Sequence, residues 1–440
     1  MIERKLLKNS KFNWFVCVAL IVTIISSIYM VAGTISRNYP GSGQQNIDSA
    51  GKVPEKYIIL AWNNLGMHCY NPDFSDMAIL PPYNTLWAQV IKVGDTPQIV
   101  TSGITVEYSF PDNTYSAGIR GHPDKTNFWK YAGELFNLSA PLPPNIGLTG
   151  KGLSGSMDLE GDHYIAEGIP LTEYRDQDAV NQRAYPFQKA LIKVRNVNNP
   201  SVVLAQITVV APVSSELMCI NCHSDTGDAT TKYPISPTGK VETNILTLHD
   251  YLNMSNYPAG HTGPLMDRRP VLCAECHSSN ALNAAGVPGI SSLSNAMHRH
   301  HKDLPDITPD TDGCYNCHPG PKTRCLRDTM SQNFALNCTT CHGTMDVVSQ
   351  NPEPWLNEPN CGAITCHGES YKPDQPLYRL SKGHGGTYCA GCHDSPHAIA
   401  PSREINDGIK FMELEGDTGT LRGCTICHAS MPDRPFKHIN

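Results

Sequence analysis

Six times between Cys219 and His428 the chain sets two cysteines three positions apart with a histidine directly after the second. The sites are Cys219/Cys222/His223, Cys273/Cys276/His277, Cys314/Cys317/His318, Cys338/Cys341/His342, Cys389/Cys392/His393 and Cys424/Cys427/His428. A seventh, Cys361-Gly-Ala-Ile-Thr-Cys366-His367, keeps the order with two extra residues between the thiols. Cysteines at i and i+3 with a histidine at i+4 fall on one side of a helical turn, so two thiols can bond a porphyrin edge while the imidazole reaches the iron. Each pattern therefore reads as a covalent attachment point for a c-type haem, seven haem c in all, with His223, His277, His318, His342, His367, His393 and His428 as proximal iron ligands. Random placement of this composition would produce only about 0.03 such pentapeptides. Zinc ribbons and thioredoxin motifs use the same cysteine spacing without requiring a histidine after every pair.

An attachment motif fills one axial position of its iron and leaves the other open. The chain has 18 histidines, and eight of those outside the motifs follow the first attachment site: His249, His261, His298, His300, His301, His384, His397 and His438. Eight candidates for seven positions is close to what complete bis-histidine ligation needs, so these are the expected distal ligands. In Met297-His298-Arg299-His300-His301, adjacent imidazoles point in different directions and could serve separate haems. Iron held by two histidines offers no site to substrate and lacks the methionine ligand that raises potential, which predicts a low-potential electron carrier rather than an enzyme. No catalytic residue is assigned.

The elements that must position these residues fall into four stretches. Residues 1–36 place Arg4, Lys5, Lys8 and Lys11 ahead of a run, Phe12 to Ser36, without a charged side chain, which reads as a transmembrane anchor or a signal peptide. Residues 37–55, rich in Gly, Ser, Asn and Gln, read as a flexible linker. From 56 to 213, Tyr57 to Trp62, Thr85 to Val93, Ile99 to Phe110, Tyr164 to Ile169, Phe187 to Val197 and Ser201 to Val213 are rich in β-branched and aromatic residues between Pro, Gly and Asn breaks. They predict an all-β sandwich with a hairpin turn at Asn198-Asn199-Pro200 and a loop-rich insert from Pro111 to Asp162. Residues 214–440 form the predicted multihaem cytochrome c domain, loop-rich and mostly helical or irregular. Attachment histidines 318, 342, 367 and 393 follow one another at intervals of 24 to 26 residues, so their haems should pack closely. Such a stretch, poor in long apolar runs, needs the haems as its apolar centre.

Of 17 cysteines, Cys17, Cys69 and Cys325 lie outside the attachment sites. Met67-His68-Cys69 has the ligand types of a copper site, but three adjacent residues cannot ordinarily wrap one metal. A packed loop is the plainer reading. Cys69 and Cys325 could pair as a disulfide, and the alternative to a carrier is a reductase in which one haem keeps an open position or takes Cys325, among Lys322, Arg324 and Arg327, as a ligand.

The seven motifs and the distal-type histidines resemble the multihaem c-type cytochromes of anaerobic respiring bacteria, and the Cys361 site resembles the variant motif of small tetrahaem cytochromes. The resemblance implies electron transfer through closely packed haems outside the cytoplasm, on the periplasmic side of the cytoplasmic membrane or at the cell surface. Its implied partners are redox proteins, either other cytochromes or quinol-linked donors, with the membrane contacted through the N-terminal segment. A homo-oligomer or a subunit of an extracellular filament is an alternative. The formal charge of −7, which haem propionates would take to about −14, excludes nucleic acid as a partner.

Overall fold

The first long strand, β1 (Tyr57–Asn63), is apolar on both faces, and its two faces meet different halves of the protein. The computed structural model describes residues 55–118, 121–304, 311–356, 361–363, 366–368 and 377–433. Side chains alternate across a strand. Ile59 and Ala61 of β1, with Leu86, Ala88 and Val90 of β4 (Asn84–Lys92), enter a core shared with Val106, Tyr108, Ile192, Val194, Ile207 and Val209 of a second sheet. Ile58, Leu60, Trp62, Trp87 and Ile91 face the other way and pack on Tyr378, Tyr388 and Ala390 of the attachment region. The outer face of the first sheet is thus a platform for the haem-attachment chain.

The remaining strands are β2 (His68–Cys69), β3 (Met77–Ala78), β5 (Gln98–Ile99), β6 (Ile104–Ser109), β7 (Ser154–Ser156), β8 (Asp158–Glu160), β9 (His163–Ile169), β10 (Phe187–Asn196), β11 (Asn199–Ser214) and β12 (Val271–Leu272). The first sheet runs β1-β4-β9-β8 with β5 on β4, and the second runs β2-β11-β10-β6-β7. A parallel pair, β12 with β3, carries the chain directly into Cys273. The β region and the attachment region belong to one compact unit.

The six strand predictions land on β1, β4, the β5–β6 pair, β9, β10 and β11, with local differences. The β10–β11 hairpin turns at Val197-Asn198, since Asn196 pairs with Asn199, and Pro200 lies inside the strand. The expected strand from Ile99 to Phe110 is broken near Gly103, whose φ of +74° suits glycine.

The predicted fold class requires correction. The β region is not all-β: α1 (Phe128–Leu135) crosses the expected loop-rich insert and buries Phe128, Ala132 and Leu135, one face of a helix. The attachment region is not mostly helical either. Its longest described α-helix, α2 (Val241–Asn253), has 13 residues, and most others are single turns between irregular stretches. Proline and glycine supply the breaks. The expected membrane helix is also not found: among the described residues no helix is long and apolar enough to cross a membrane, for which about 20 apolar residues are needed. Residues 1–36 and the linker 37–55, except Glu55, lie outside the described residues.

Candidate functional site

The attachment motifs form tight turns in which the histidine N–H bonds back to the first cysteine carbonyl. This holds at His223 (2.8 Å), His277 (3.0 Å), His318 (2.9 Å) and His428 (2.9 Å). At Cys338–His342 an asparagine cap, Asn337, closes a capping box with Thr340. The wider Cys361 site also closes, with His367 N–H 3.2 Å from the Cys361 carbonyl. None of the sixteen described cysteines is in a disulfide, so Cys69 and Cys325 are not bonded to each other.

Five of the motif histidines each face a second histidine. Ring centroids are 6.3 Å apart for His223 and His301, 6.3 Å for His277 and His249, 6.1 Å for His318 and His298, 6.0 Å for His342 and His397, and 6.1 Å for His428 and His384. Two metal–nitrogen bonds of about 2.0 Å, with each ring centre about 1.1 Å behind its nitrogen, predict about 6.2 Å for a pair sharing one iron. The residues present therefore fit a haem at these five sites.

The second ring nitrogens agree. Nδ1 of His298 lies 2.7 Å from the Ser294 carbonyl and that of His301 2.6 Å from the Met297 carbonyl, each one turn earlier on α3 (Leu293–His301). His277 Nδ1 lies 2.8 Å from the Ser291 carbonyl and His428 Nδ1 3.1 Å from the Asp95 carbonyl. A carbonyl can only accept, so Nδ1 carries the hydrogen and Nε2 keeps the lone pair a metal requires. Burial keeps His223 and His318 neutral, lowering each to about 4.

Local structure explains the placements. Ser292 caps α3 by accepting from Asn295 N–H, and Asn295 ties the helix to the Ser349 and Asn351 carbonyls. His384 sits in a loop whose next two residues, Gly385 and Gly386, both have positive φ. His397, at φ +63°, is fixed by the bond from Arg327 N–H to its carbonyl. Asp95 lies in the β4–β5 turn, where Gly94 bridges to His428, so the β region holds the last site directly.

Of the other predicted distal ligands, His261 packs on Tyr257 and takes Arg268 Nη1 at 2.8 Å on Nδ1. His300 is exposed on α3, and His438 lies outside the described residues. His68 Nε2 lies 3.2 Å from Asn64 Oδ1, and among the described residues no three His, Cys, Asp or Glu side chains gather as a bare metal ion would require. The Cys325 sulfur stands 3.6 Å from His397 Nδ1, behind a candidate ligand rather than beside a proximal histidine.

Neighbouring attachment sites touch. Asn221 of the first bonds Asn316 of the third at 3.0 Å, and burial, with Cys219 and Cys222 nearby, pushes the Cys317 thiol up to about 11. His318 neighbours both His298 and His342, which links the third site to the fourth. Burial raises Cys341 with Cys366 and Cys361 close by, Tyr378 is buried between Cys361 and Cys389, and burial beside Cys427 takes Cys392 to about 11. Among the described residues beyond Ser214 few large apolar side chains are buried, chiefly Leu246, Leu248, Tyr315, Leu377, Tyr378, Tyr388 and Phe411. No protein-family model matches the chain, and no curated protein matches it.

Proposed function

We propose that this protein carries seven covalently attached c-type haems and passes electrons between redox proteins outside the cytoplasm. When bound, the haems would supply one-electron centres. The chain's own part is to tether them by paired thiols, to close both axial positions with imidazoles, and to hold neighbouring sites in contact. The observation that carries the reading is the set of five histidine pairs at 6.0–6.3 Å, each joining an attachment histidine to one remote in sequence. With the sites numbered in chain order from Cys219, so that Cys361 opens the fifth and Cys424 the seventh, contacts between attachment sites support a route in the order second, first, third, fourth, fifth, sixth, seventh. Helix α3 joins the first and third through His301 and His298, and His300 approaches His277 of the second.

Closed axial positions suit a carrier and leave no place for substrate at those five irons. The test is an EPR spectrum of the oxidised holoprotein with haem counted as the pyridine haemochrome. Seven low-spin haems support the reading. A high-spin signal of about one haem in seven would turn the assignment towards a reductase.

A further inference from the structure

An imidazole that binds iron through Nε2 has only its Nδ1–H left for the protein. The acceptor it finds governs how much electron density the ring gives the metal. These acceptors differ between sites. At Cys273/Cys276 both imidazoles are well backed: His277 Nδ1 donates to the Ser291 carbonyl at 2.8 Å, and His249 Nδ1 lies 3.0 Å from the Tyr257 hydroxyl. That hydroxyl has one hydrogen and stands 2.6 Å from Asp250 Oδ1, so the hydrogen goes to the carboxylate and the oxygen accepts from His249. Asp250 is buried and held by the backbone N–H groups of Leu265 (2.7 Å) and Met266 (3.2 Å).

At Cys338/Cys341 the Nδ1 of the second imidazole, His397, has the Cys325 sulfur as its hydrogen-bond partner among the described residues, at 3.6 Å. Sulfur is a weak acceptor. Formal charges do not reverse the contrast. Arg268 near the first of these sites is half exposed and faces Glu275 at 3.6 Å, whereas Arg327 near the second is paired with Asp407 at 2.7 Å.

We propose that Tyr257 and Cys325 are positioning residues that act through His249 and His397, setting the Cys273/Cys276 haem at lower potential than the Cys338/Cys341 haem. The inference rests on the electron-transfer reading above and gives the array a direction. At equilibrium an electron entering at the second site moves downhill towards the fourth.

The experiment is an EPR-monitored redox titration of the holoprotein. His249→Ala and His397→Ala each identify a haem by the low-spin component they remove. In the wild type the component removed by His249→Ala should be reduced after the one removed by His397→Ala. Tyr257→Phe, which keeps the ring against His249 and deletes the acceptor, should move only the first component to higher potential. Cys325→Ala should move only the second, and both variants should retain seven haems. The opposite order in the wild type, or Tyr257→Phe leaving its component in place, overturns the proposal. If Tyr257→Phe fails to mature, the wild-type order decides alone. Absence of low-spin haem would strike the proposed function instead.

Discussion

His298 and His301 sit one turn apart on α3 yet face different attachment histidines, His318 at 6.1 Å and His223 at 6.3 Å. Residues three apart on a helix lie on one side of it, but each imidazole is aimed by its own bond to a carbonyl one turn earlier. One helix therefore presents imidazoles to two different motifs. His298→Ala and His301→Ala should each convert a single haem from low-spin to high-spin, the double variant two. His300→Ala, altering an exposed ring between them, should convert none. EPR of the three single variants and the double decides it, and a high-spin haem in His300→Ala would show that the helix serves a third iron.

Gly66 adopts φ +79°, and a Cβ there would lie 1.8 Å from the Pro396 carbonyl oxygen. No side chain yields at this contact, because the obstacle is backbone next to His397. Gly66→Ala should destabilise the protein by about 1–3 kcal/mol and loosen one iron ligand. Thermal melting should show the first effect, and a partial high-spin signal of at most one haem the second. An unchanged melt would mean that the β region and the His397 segment are not seated together.

The Cys-x-x-Cys-His turns were legible in the sequence because that spacing brings two thiols and an imidazole within one turn, as the His N–H to first-Cys carbonyl bonds show. The strand predictions also landed, since runs of six or more residues rich in β-branched and aromatic side chains between Pro, Gly and Asn breaks mark a strand even where, as in β1, both faces are apolar. What failed was short or locally ambiguous. Strands β2 and β3 have two residues each, too few for any alternation. Phe128-Trp129-Lys130-Tyr131 has strand-like aromatics, and only burial of Phe128, Ala132 and Leu135 reveals the helix. The sequence offered His249, His298, His301, His384 and His397 as distal candidates but could not say which motif histidine each faces, because that depends on chain-distant packing. Nothing in it marked the Asp95 carbonyl or the Asp250–Tyr257 pair, whose roles arise from backbone position and from contact.

Asp76 fastens the second attachment site to the β region. It pairs with Lys240 and Arg269, each at 2.9 Å, just before the β3–β12 contact that leads into Cys273. Burial opposes its ionisation, but the Lys240 ammonium and the Arg269 guanidinium hold the carboxyl below its ordinary value. With the folded value below the unfolded one, this contribution is complete above about pH 4 and disappears as pH falls through the folded value. Asp76→Asn should cost about 1–3 kcal/mol at neutral pH and flatten the acid limb of a stability–pH curve. An acid limb as steep as that of the wild type would assign the dependence to other carboxylates.

Lys410 joins the two halves of the protein from a buried position on α4 (Ile409–Glu415). Its ammonium reaches the Ala61 carbonyl of β1 at 3.1 Å, the Ala390 carbonyl of the sixth attachment turn at 3.3 Å, and Asp394 Oδ1 at 3.0 Å. Burial acts to raise the Asp394 carboxyl, so the carboxylate depends on this cation. Lys410→Met fills the volume but takes the cation from a buried carboxylate that keeps the Ser395 N–H and hydroxyl, and takes one donor from the Ala61 and Ala390 carbonyls, the latter still bonded by Asp394 N–H. The expected cost is about 3–5 kcal/mol. Lys410→Met/Asp394→Asn removes the stranded charge and should recover part of the loss, since a paired charge and a neutral polar group differ less than a paired and an abandoned one. Denaturant unfolding of the two holoproteins separates the cases. If the double variant is no more stable than Lys410→Met, the lysine acts through the carbonyls of Ala61 and Ala390, as a clamp between sheet and attachment turn, and not through the ion pair.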